Sequence, residues 1–463
     1  MNPVLLIDFG STYTKLAAVD IDNESILGTS QAYSTVQTDI NDGLQEGLKL
    51  LEEKTGPTVY NETYACSSAA GGLRMITSGL VPDLTSKAAK MASLGAGAKM
   101  LNVYSFELTE DDIEEIRNAD PDIILLVGGT DGGNKECIVH NSKMLAALPK
   151  KYPIIIAGNR TAAKQCAENL EGFETFVSEN VMPALGTLNV KPAQDRIRDL
   201  FLRRIVQAKG LSRTAELLTE IIMPTPAAVM QAMELLARGC EGEEGIGELI
   251  AVDVGGATTD VYSIAAGLPA NDATFYKGLP EPYAKRTVEG DIGMRYSIHG
   301  IVEAAGDMRI SQLSGLPSER IEELADRLSK NPDIVSNGDE ELEALDYALA
   351  SMAIETAVAR HAGTIEETYT IMGKTYIQEG KDLRDVSRVI LTGGSLIHTK
   401  RTAEIASHAL YSVSNPMSLR PVAADIRIDR NYIVAAMGLL STHHPEIALR
   451  IMKKELENHG REK

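Results

Sequence analysis

The chain has 463 residues, 44% of them hydrophobic and 24% charged, which is the composition of a globular protein large enough for two or three domains. Its formal net charge of −20 argues against nucleic acid and anionic membrane surfaces as partners, because both are negatively charged themselves. No apolar run is long enough to span a bilayer and no basic leader precedes the first one, so we expect a cytoplasmic protein with reduced thiols at Cys66, Cys137, Cys166 and Cys240.

The first predicted elements are a hairpin of two strands, 4–8 and 14–20, followed by a strand over 26–34 and a helix over 42–54. From residue 62 to 180 strands and helices alternate. Apolar runs in this segment end in glycine, as buried parallel strands often do, and they predict a Rossmann-like βα segment in the first half. Helices predicted over 192–208, 212–219 and 227–237 form a helical block, 191–245, that completes the first half.

A polar, glycine-rich stretch at 241–247 marks the predicted domain boundary, after which the opening pattern returns. Aligned on Asp8 and Asp253, both segments read apolar, apolar, apolar, Asp, apolar, Gly, small, small. The repeat predicts an α/β protein of two duplicated domains, 1–245 and 246–463, with a chance hairpin match as the alternative. The remaining predicted elements are a mostly helical span over 286–363, a strand over 387–392, a core helix over 433–441 and a charged helix from 445.

The first hairpin carries the motif Asp8-x-Gly10-Ser11-Thr12-x-x-Lys15. A tight turn without bulky side chains directs backbone N–H groups and the two hydroxyls toward an anion, so it suits phosphate groups. Asp8 ends the strand, where a carboxylate can hold the water shell of Mg²⁺. The alternative is an ordinary turn with a capping aspartate.

The second hairpin, between Asp253 and Asp260, has the same combination of an aspartate, a glycine turn and hydroxyl side chains. Its candidate phosphate-binding residues are Gly255, Gly256, Ala257, Thr258 and Thr259. A third motif follows the strand at 387–392, where glycine lets a flat ring such as adenosine approach the backbone. The residues of this third motif are Gly393, Gly394 and Ser395.

In this order the three motifs resemble the two phosphate motifs and the adenosine motif of the actin/Hsp70/sugar-kinase superfamily. Residues 222–228 resemble the Pro-Thr-Ala-Ala helix before the second phosphate hairpin of Hsp70, and 433–440 resembles the return helix. The resemblance implies ATP or ADP with Mg²⁺ in a cleft between two actin-like, ribonuclease H-like domains. It also implies that Asp8 and Asp253 hold the metal, and that these two and Asp260 serve as catalytic carboxylates.

One position departs from that superfamily. Hsp70-like members have a glutamate that positions the attacking water before the Pro-Thr pair, whereas this chain has Met223. Methionine cannot orient a water molecule, so the sequence predicts a slow Mg-ATPase or one that relies on the aspartates. Lys15 corresponds to a phosphate-contacting lysine of actin, and we expect it to have that role.

A closer resemblance, over nearly the whole chain, is to the MutL/GlmL accessory family. It is carried by residues 5–15, 223–226, 253–260 and 289–294. This family is associated with glutamate mutase, an adenosylcobalamin enzyme. The resemblance therefore implies an ATP-dependent chaperone, a reactivating factor whose partner is an adenosylcobalamin-dependent mutase and which exchanges damaged cobalamin.

Three features of the sequence leave alternatives open. Glu289 and Asp291 either approach the nucleotide or lie on a solvated turn, and 128–131 is interpreted as a strand-end turn despite its likeness to an adenosine turn. The rival functions are a small-molecule kinase, an activator of 2-hydroxyacyl-CoA dehydratases and a polymerising structural protein. The wide cysteine spacing argues against the iron–sulfur cluster that the activator needs. The histidines expected to be structural are His299, His361 and His398.

Overall fold

The computed structural model describes residues 2–10, 12–33, 40–67, 73–208, 220–271, 273–336, 338–371, 373–397, 399 and 401–458. The chain divides into two compact units, Met1–Val229 with Gly278–Pro280 and Met230–Lys277 with Glu281–Lys463. Residues 230–245, which we expected to end the first domain, fall in the second unit. The domain bounds 1–245 and 246–463 stay a prediction.

The first unit opens with the predicted hairpin, a third strand and a helix. These elements are β1 (Pro3–Phe9), β2 (Tyr13–Asp20), β3 (Ser25–Tyr33), α1 (Ile40–Thr55) and β4 (Glu62–Ser67). All of β1 is buried, and its side chains supply part of the core beneath the sheet. The element types and order expected for residues 4–54 are therefore confirmed.

A second sheet is inserted after β4. Its elements are β5 (Arg74–Gly79), α2 (Lys87–Gly95), β6 (Lys99–Ser105), α3 (Glu110–Ala119), β7 (Ile123–Leu126), α4 (Glu136–Ala146), β8 (Ile154–Ile156), α5 (Ala163–Asn169) and β9 (Thr175–Val177), with a π-helical turn at Pro82–Ser86. The strand order is β6-β5-β7-β8-β9 and every pair is parallel. The predicted Rossmann-like segment is confirmed as a doubly wound sheet of its own, but it starts at β5 and not at residue 62, because β4 pairs with β1 in the first sheet.

The inserted sheet is buried on both faces, as all-parallel sheets generally are. Ile123 and Leu125 of β7 join a hydrophobic cluster that also contains Leu5 of β1. Ile124 and Leu126, which point the opposite way, join a separate cluster formed only by residues of the insertion. The continuous apolar run of β7 is explained by this two-sided burial.

The chain returns to the first sheet through α6 (Lys191–Ala208), β10 (Glu220–Pro224) and α7 (Thr225–Arg238). The first sheet has the order β3-β2-β1-β4-β10. Its first three strands are antiparallel neighbours, whereas β4 pairs in parallel with both β1 and β10. The helix expected over 212–219 lies outside the described residues.

The second unit begins with a small hairpin and then repeats the opening of the chain. Its first elements are β11 (Gly239–Cys240), β12 (Glu243–Glu244), β13 (Leu249–Val254), β14 (Thr259–Ile264), β15 (Thr274–Lys277) and β16 (Ala284–Glu289). Because β16 pairs with β14, the expectation that the helical span starts at residue 286 is wrong. The helices that follow are α8 (Ile298–Ala305), α9 (Asp307–Ser314), α10 (Ser318–Lys330) and α11 (Glu340–His361).

The last part of the chain completes two sheets of the second unit. Its elements are β17 (Thr364–Thr370), β18 (Gly373–Glu379), β19 (Arg388–Thr392), α12 (Gly394–Ile397), α13 (Thr402–Ser407), β20 (Asp425–Ile428), α14 (Val434–Leu440) and α15 (Pro445–Asn458). A three-stranded sheet has the order β15-β18-β17, and the main sheet has the order β16-β14-β13-β19-β20. Helix α11 is apolar on several sides because it packs within the main core of this unit.

The main sheets of the two units have the same topology. In the second unit β13, β14 and β16 are antiparallel neighbours, whereas β19 pairs in parallel with both β13 and β20. This is the pattern of β1, β2, β3, β4 and β10. The predicted duplication of an α/β domain is therefore confirmed by strand order and direction. None of the helices in the described ranges is long and apolar enough to cross a membrane.

Candidate functional site

The first hairpin is a turn that only glycine fits. The Gly10 N–H donates to the carbonyls of Asp8 (3.0 Å) and Tyr13 (3.1 Å). A Cβ atom on Gly10 would lie 2.5 Å from the Tyr13 carbonyl oxygen, which is too close for any side chain. Ser11 lies outside the described residues, and Thr12 is partly exposed at the tip. The backbone of this turn therefore requires the glycine of the Asp-x-Gly sequence.

The carboxylate of Asp8 lies at the end of β1 and is 7% exposed. Thr225 Oγ1 donates a hydrogen bond of 2.5 Å to Asp8 Oδ1, and Cys66 Sγ lies 3.5 Å from the same oxygen. Burial raises the pKa of the Cys66 thiol well above its usual value, and the Asp8 charge raises it further, so the thiol keeps its proton. Lys15 is the cross-strand partner of Asp8.

The second hairpin repeats this geometry. The Gly255 N–H donates to the Thr258 carbonyl (2.9 Å), and an added Cβ would lie 2.9 Å from that oxygen. Asp253 and Asp260 are opposite each other across β13 and β14, as Asp8 and Lys15 are across β1 and β2. The two predicted phosphate motifs therefore occupy equivalent places in two equivalent sheets.

The loop after β16 packs against the second hairpin and is hydrogen-bonded to it. The N–H groups of Arg295 and Tyr296 both donate to the Gly256 carbonyl at 2.8 Å. A Cβ on Gly293 would lie 2.3 Å from the carbonyl carbon of Ala257. The Thr259 hydroxyl is buried and donates to the Ile292 carbonyl (3.0 Å), so it holds this loop in place. The sequence 289–294 is thus part of the framework of the hairpin.

Asp260 forms a buried ion pair. Arg286 Nε donates to Asp260 Oδ1 (2.8 Å), and Thr258 Oγ1 donates to Oδ2 (3.3 Å). Both oxygens of this carboxylate are thus engaged, and the buried guanidinium depends on it as its counter-charge. The structure thus gives Asp260 a structural partner, and its catalytic role stays a prediction.

Glu289 and Asp291 share one cation. Arg360 Nη1 lies 2.8 Å from a Glu289 carboxylate oxygen and 3.1 Å from Asp291. The Asp291 side chain is more than half exposed, whereas that of Glu289 is largely buried. Both carboxylates are therefore partly neutralised by the same guanidinium group.

The third motif packs directly against the end of β13. Gly393 has φ +121, and a Cβ at that position would lie 2.3 Å from the Val254 carbonyl oxygen. The buried carboxylate of Asp429 accepts hydrogen bonds from the Thr392 hydroxyl (3.3 Å) and from the Ile433 N–H at the start of α14 (2.9 Å). Gly394 begins α12, and Ser395 is its second residue. The turn predicted to bind adenosine thus lies beside the second hairpin, within one unit.

Met223, the segment 128–131 and two of the histidines have surroundings that suit structural roles. Met223 is 3% exposed at the end of β10. The segment 128–131 follows β7, with Gly128 and Gly129 at positive φ, so the strand-end turn is confirmed. His361 is fully buried, with its ring nitrogens 2.8 Å from the hydroxyls of Thr287 and Ser263. His299 lies on the surface 3.1 Å from Asp326, and His398 lies outside the described residues.

Each unit has a carboxylate at a strand end that would suit a magnesium ion. Among the residues that the structure describes, no group of three or more His, Cys, Asp or Glu side chains could hold a metal ion. Mg²⁺ is usually bound by one or two carboxylates together with phosphates and waters, and it needs no such group. Asp8 and Asp253 each offer one carboxylate at the end of a strand, beside a glycine turn. Their chemistry fits this kind of ion.

A family model described as MutL protein matches residues 4–456. The chain belongs to the MutL protein family. Protein MutL of Clostridium tetanomorphum is 48% identical over 460 residues, which covers 98% of this chain and 99% of the relative. The resemblance noted in the sequence is thereby confirmed at the level of the family.

Solved structures with similarity to this MutL-family chain are more distant. Component A of (R)-2-hydroxyglutaryl-CoA dehydratase from Acidaminococcus fermentans is 11% identical, with 98% of this chain and 99% of that chain covered and a TM-score of 0.32. A ligand-bound xylulose kinase from Lactobacillus acidophilus is 10% identical, with coverages of 98% and 92% and a TM-score of 0.35. A diol dehydratase-reactivating factor in nucleotide-free form is 12% identical, with coverages of 96% and 100% and a TM-score of 0.33. Similarity at this level carries no statement about function.

The MutL-family chain has the fold class expected from its sequence. Its two main sheets repeat one topology, and the inserted doubly wound sheet lies in the first half. The prediction of two duplicated α/β domains with a Rossmann-like segment in the first half is confirmed. Thr225 and Cys66, which hold Asp8, were not identified as site residues from the sequence. The signal for Thr225 was present, because it is the threonine of the Pro-Thr motif at 222–228.

Proposed function

We propose that this MutL-family protein binds ATP or ADP with Mg²⁺ and acts as an accessory protein that reactivates an adenosylcobalamin-dependent mutase of the glutamate mutase type. The observation that carries the nucleotide proposal is the equivalence of the two hairpins. Both have a glycine that admits no Cβ atom and an aspartate at the same place in the same sheet topology. One such turn is common in proteins, whereas two at equivalent positions indicate that both hairpins have the same function.

The proposed phosphate-binding residues are those of the two hairpins. In the first hairpin they are Gly10, Ser11, Thr12 and Lys15, with Lys15 contributing its ammonium group. In the second they are Gly255, Gly256, Ala257, Thr258 and Thr259. The N–H groups of Gly10 and Gly255 and the hydroxyl of Thr259 are bonded to backbone carbonyls of the protein, so these three groups shape the turns. Glycine turns of this kind bind anions because successive N–H dipoles converge.

The proposed adenosine-binding residues are Gly393, Gly394 and Ser395. The support for this role is the exposed backbone of Gly394 and the close packing of Gly393 against the end of β13. Asp429 fixes the strand end on one side and the start of α14 on the other. A turn held in this way needs no rearrangement when a flat ring approaches it.

Asp8 and Asp253 are the proposed magnesium residues. When bound, the ion neutralises phosphate charge and orients the terminal phosphoryl group for transfer to water. The residues of this chain contribute carboxylates that hold its water shell. Since Asp260 is occupied by Arg286, Asp8 and Asp253 are the better candidates for orienting the attacking water.

Hydrolysis is proposed to be slow in the absence of a partner. Met223 is buried where related ATPases have a water-positioning glutamate, and a thioether cannot serve that role. A mutase that binds one nucleotide state better than the other would alter nucleotide affinity by the same factor, since coupling between two sites is reciprocal. The client enzyme is therefore expected to control turnover.

The nucleotide proposal is tested by calorimetric titration and thermal unfolding with ATP, ADP and Mg²⁺. Saturation at 100 times the dissociation constant should stabilise the fold by about 2.7 kcal/mol. Asp8→Asn and Asp253→Asn should weaken binding of the magnesium complex while leaving the unliganded protein folded. If neither nucleotide binds, the central proposal is wrong.

The partner proposal is tested with glutamate mutase that has been inactivated by turnover. The mutase is incubated with this protein, ATP, Mg²⁺ and fresh cofactor, and its activity and the ATPase rate are followed together. We expect recovery of mutase activity with ATP and none with a non-hydrolysable analogue. Nucleotide binding without recovery or ATPase stimulation would contradict the reactivation proposal alone.

A further inference from the structure

The Asp8 carboxylate is held by side chains from two other parts of the first unit. Thr225 is the first residue of α7, and Cys66 lies near the end of β4. Thr225 Oγ1 donates to Asp8 Oδ1 at 2.5 Å and also lies 3.7 Å from Cys66 Sγ. The three groups therefore form one contact cluster, although Thr225 is 217 positions from Asp8 in the sequence.

The sheet explains why these residues meet. In the parallel pairing of β1 and β4, Asp8 is opposite Cys66, and in the pairing of β4 and β10, Met223 is opposite Cys66. The carboxyl ends of β1, β4 and β10 thus lie in one row, and α7 begins immediately after β10. Pro226 is the second residue of α7, and a proline in the first turn restricts the backbone to helical angles. Thr225 is thereby fixed at the end of this row.

Both hydrogen bonds that Asp8 accepts from described side chains end on Oδ1. The hydroxyl and the thiol, which both contact Oδ1, together restrict the rotation of the carboxylate. The direction of the Oδ2 atom is thereby set as well. Asp8 as a residue is 7% exposed and lies beside the glycine turn. A metal residue needs this kind of support, because the partners of a ligand determine how well it is oriented.

We propose that Thr225 is a positioning residue for magnesium, with Cys66 in support, and that it aligns the Asp8 carboxylate so that Oδ2 can hold the water shell of nucleotide-bound Mg²⁺. This inference rests on the proposed function. It gives the threonine of the Pro-Thr motif a role that does not depend on the residue before the proline. The Met223 position can therefore change without loss of the metal site.

The test compares Thr225→Val, which keeps the shape of the side chain without its donor, with Thr225→Ser, which keeps the donor. ATP binding is measured by calorimetry at a series of Mg²⁺ concentrations and also without Mg²⁺. We expect Thr225→Val to raise the Mg²⁺ concentration for half-maximal tightening of ATP binding about tenfold or more, the usual effect of removing a supporting partner. Thr225→Ser should resemble the parent, and metal-free ATP binding should be the same in all three proteins.

Two further variants keep the result interpretable. Cys66→Ala removes the thiol contact and should shift the Mg²⁺ dependence in the same direction by a smaller factor. Thr225→Ala serves if the valine variant does not fold, which unfolding of the unliganded proteins will show. Unchanged Mg²⁺ dependence in folded Thr225→Val or Thr225→Ala would overturn the positioning role. If the parent itself fails to bind ATP, the proposed nucleotide function is wrong and not only this inference.

Discussion

Arg286 Nη2 lies 2.6 Å from Oδ1 of Asp260, and the Arg286 side chain is only 4% exposed. Two charges removed from water in this way depend on each other, because neither can be solvated after the other is lost. The pair lies on neighbouring strands, β14 and β16, directly behind the second hairpin. It therefore links the stability of the sheet to the shape of the turn.

Asp260→Asn is expected to lower the free energy of unfolding by about 3–5 kcal/mol, the usual cost of leaving a buried charge without its partner. Asp253→Asn, on the adjacent strand, should cost much less, since Asp253 is partly exposed. The measurement is urea unfolding of both variants and the parent. An Asp260→Asn protein with parental stability and no ATPase activity would instead favour the catalytic role predicted from the sequence.

Gly393→Ala and Gly394→Ala should differ although the positions are adjacent. Gly393 has φ +121, and its added Cβ would meet the backbone carbonyl of Val254 at 2.3 Å, so we expect a loss of about 3 kcal/mol or more. At Gly394 the nearest atom is the Tyr432 hydroxyl at 3.0 Å, which belongs to a side chain that can move. We expect a small effect there. Equal destabilisation in thermal unfolding would contradict the backbone geometry of this turn.

His361 should make the protein sensitive to acid. Burial lowers the pKa of His361 well below its ordinary value, and the charges of Lys285 and Lys381 lower it further. As pH falls through about 6.5, the unfolded chain takes up a proton that the folded chain does not, so stability falls. At about pH 5.5 the loss should reach about 1.4 kcal/mol relative to neutral pH.

The control for this effect is His361→Gln, whose amide can still bond to the hydroxyls of Ser263 and Thr287. Its unfolding free energy should fall less between about pH 7.5 and pH 5.5 than that of the parent. The difference between the two slopes is the readout, because the substitution changes stability at every pH. Parallel profiles would show that His361 titrates alike in both states.

Lys381 should act in a different pH window. It is 1% exposed, and its Nζ donates to the carbonyls of Ala265 and Tyr283 at 2.7 Å. Burial lowers the pKa of Lys381 to about 7, with a further contribution from Lys285. Above that value the unfolded chain binds a proton that the folded chain has lost, so stability rises with pH by up to about 1.4 kcal/mol per unit.

Lys381→Met should remove this rise. The test is chemical unfolding of the parent and the variant from about pH 7 to pH 9. The gap in stability between them should widen in favour of the parent as the pH increases. A constant gap would mean that Lys381 remains protonated in the folded protein throughout that range.

Sequence patterns predicted those parts of the fold that depend on neighbours along the chain. Strands expected at 4–8 and 14–20 occur at Pro3–Phe9 and Tyr13–Asp20, since continuous apolar runs on either side of a glycine turn leave a local signature. The strand β16 was missed within a span expected to be helical. Its half-buried, polar sequence AKRTVE has no apolar run, and it becomes a strand because it pairs with β14.

The contacts that define the candidate site are mostly long-range, and the sequence does not contain the strand order that creates them. Asp8 was predicted, but its partner Thr225 becomes visible only when β4 and β10 are known to be parallel neighbours. The same holds for Asp429, which connects Thr392 to the start of α14. The motifs single out candidate residues, whereas the fold determines which of them are already engaged with each other.

The two faces of the inserted sheet have a consequence for how this family can evolve. One face is packed by the insertion alone, but the other shares its core with Leu5, Ile7 and other residues of the opening strands. A segment that shares its core with the rest of the unit cannot fold as an independent domain without exposing apolar side chains. If residues 73–190 were transplanted to another protein, they would carry an uncovered apolar face, and their deletion would expose the first sheet to water. Recombination should therefore preserve the insertion and its host as one inherited block, with divergence concentrated in the loops.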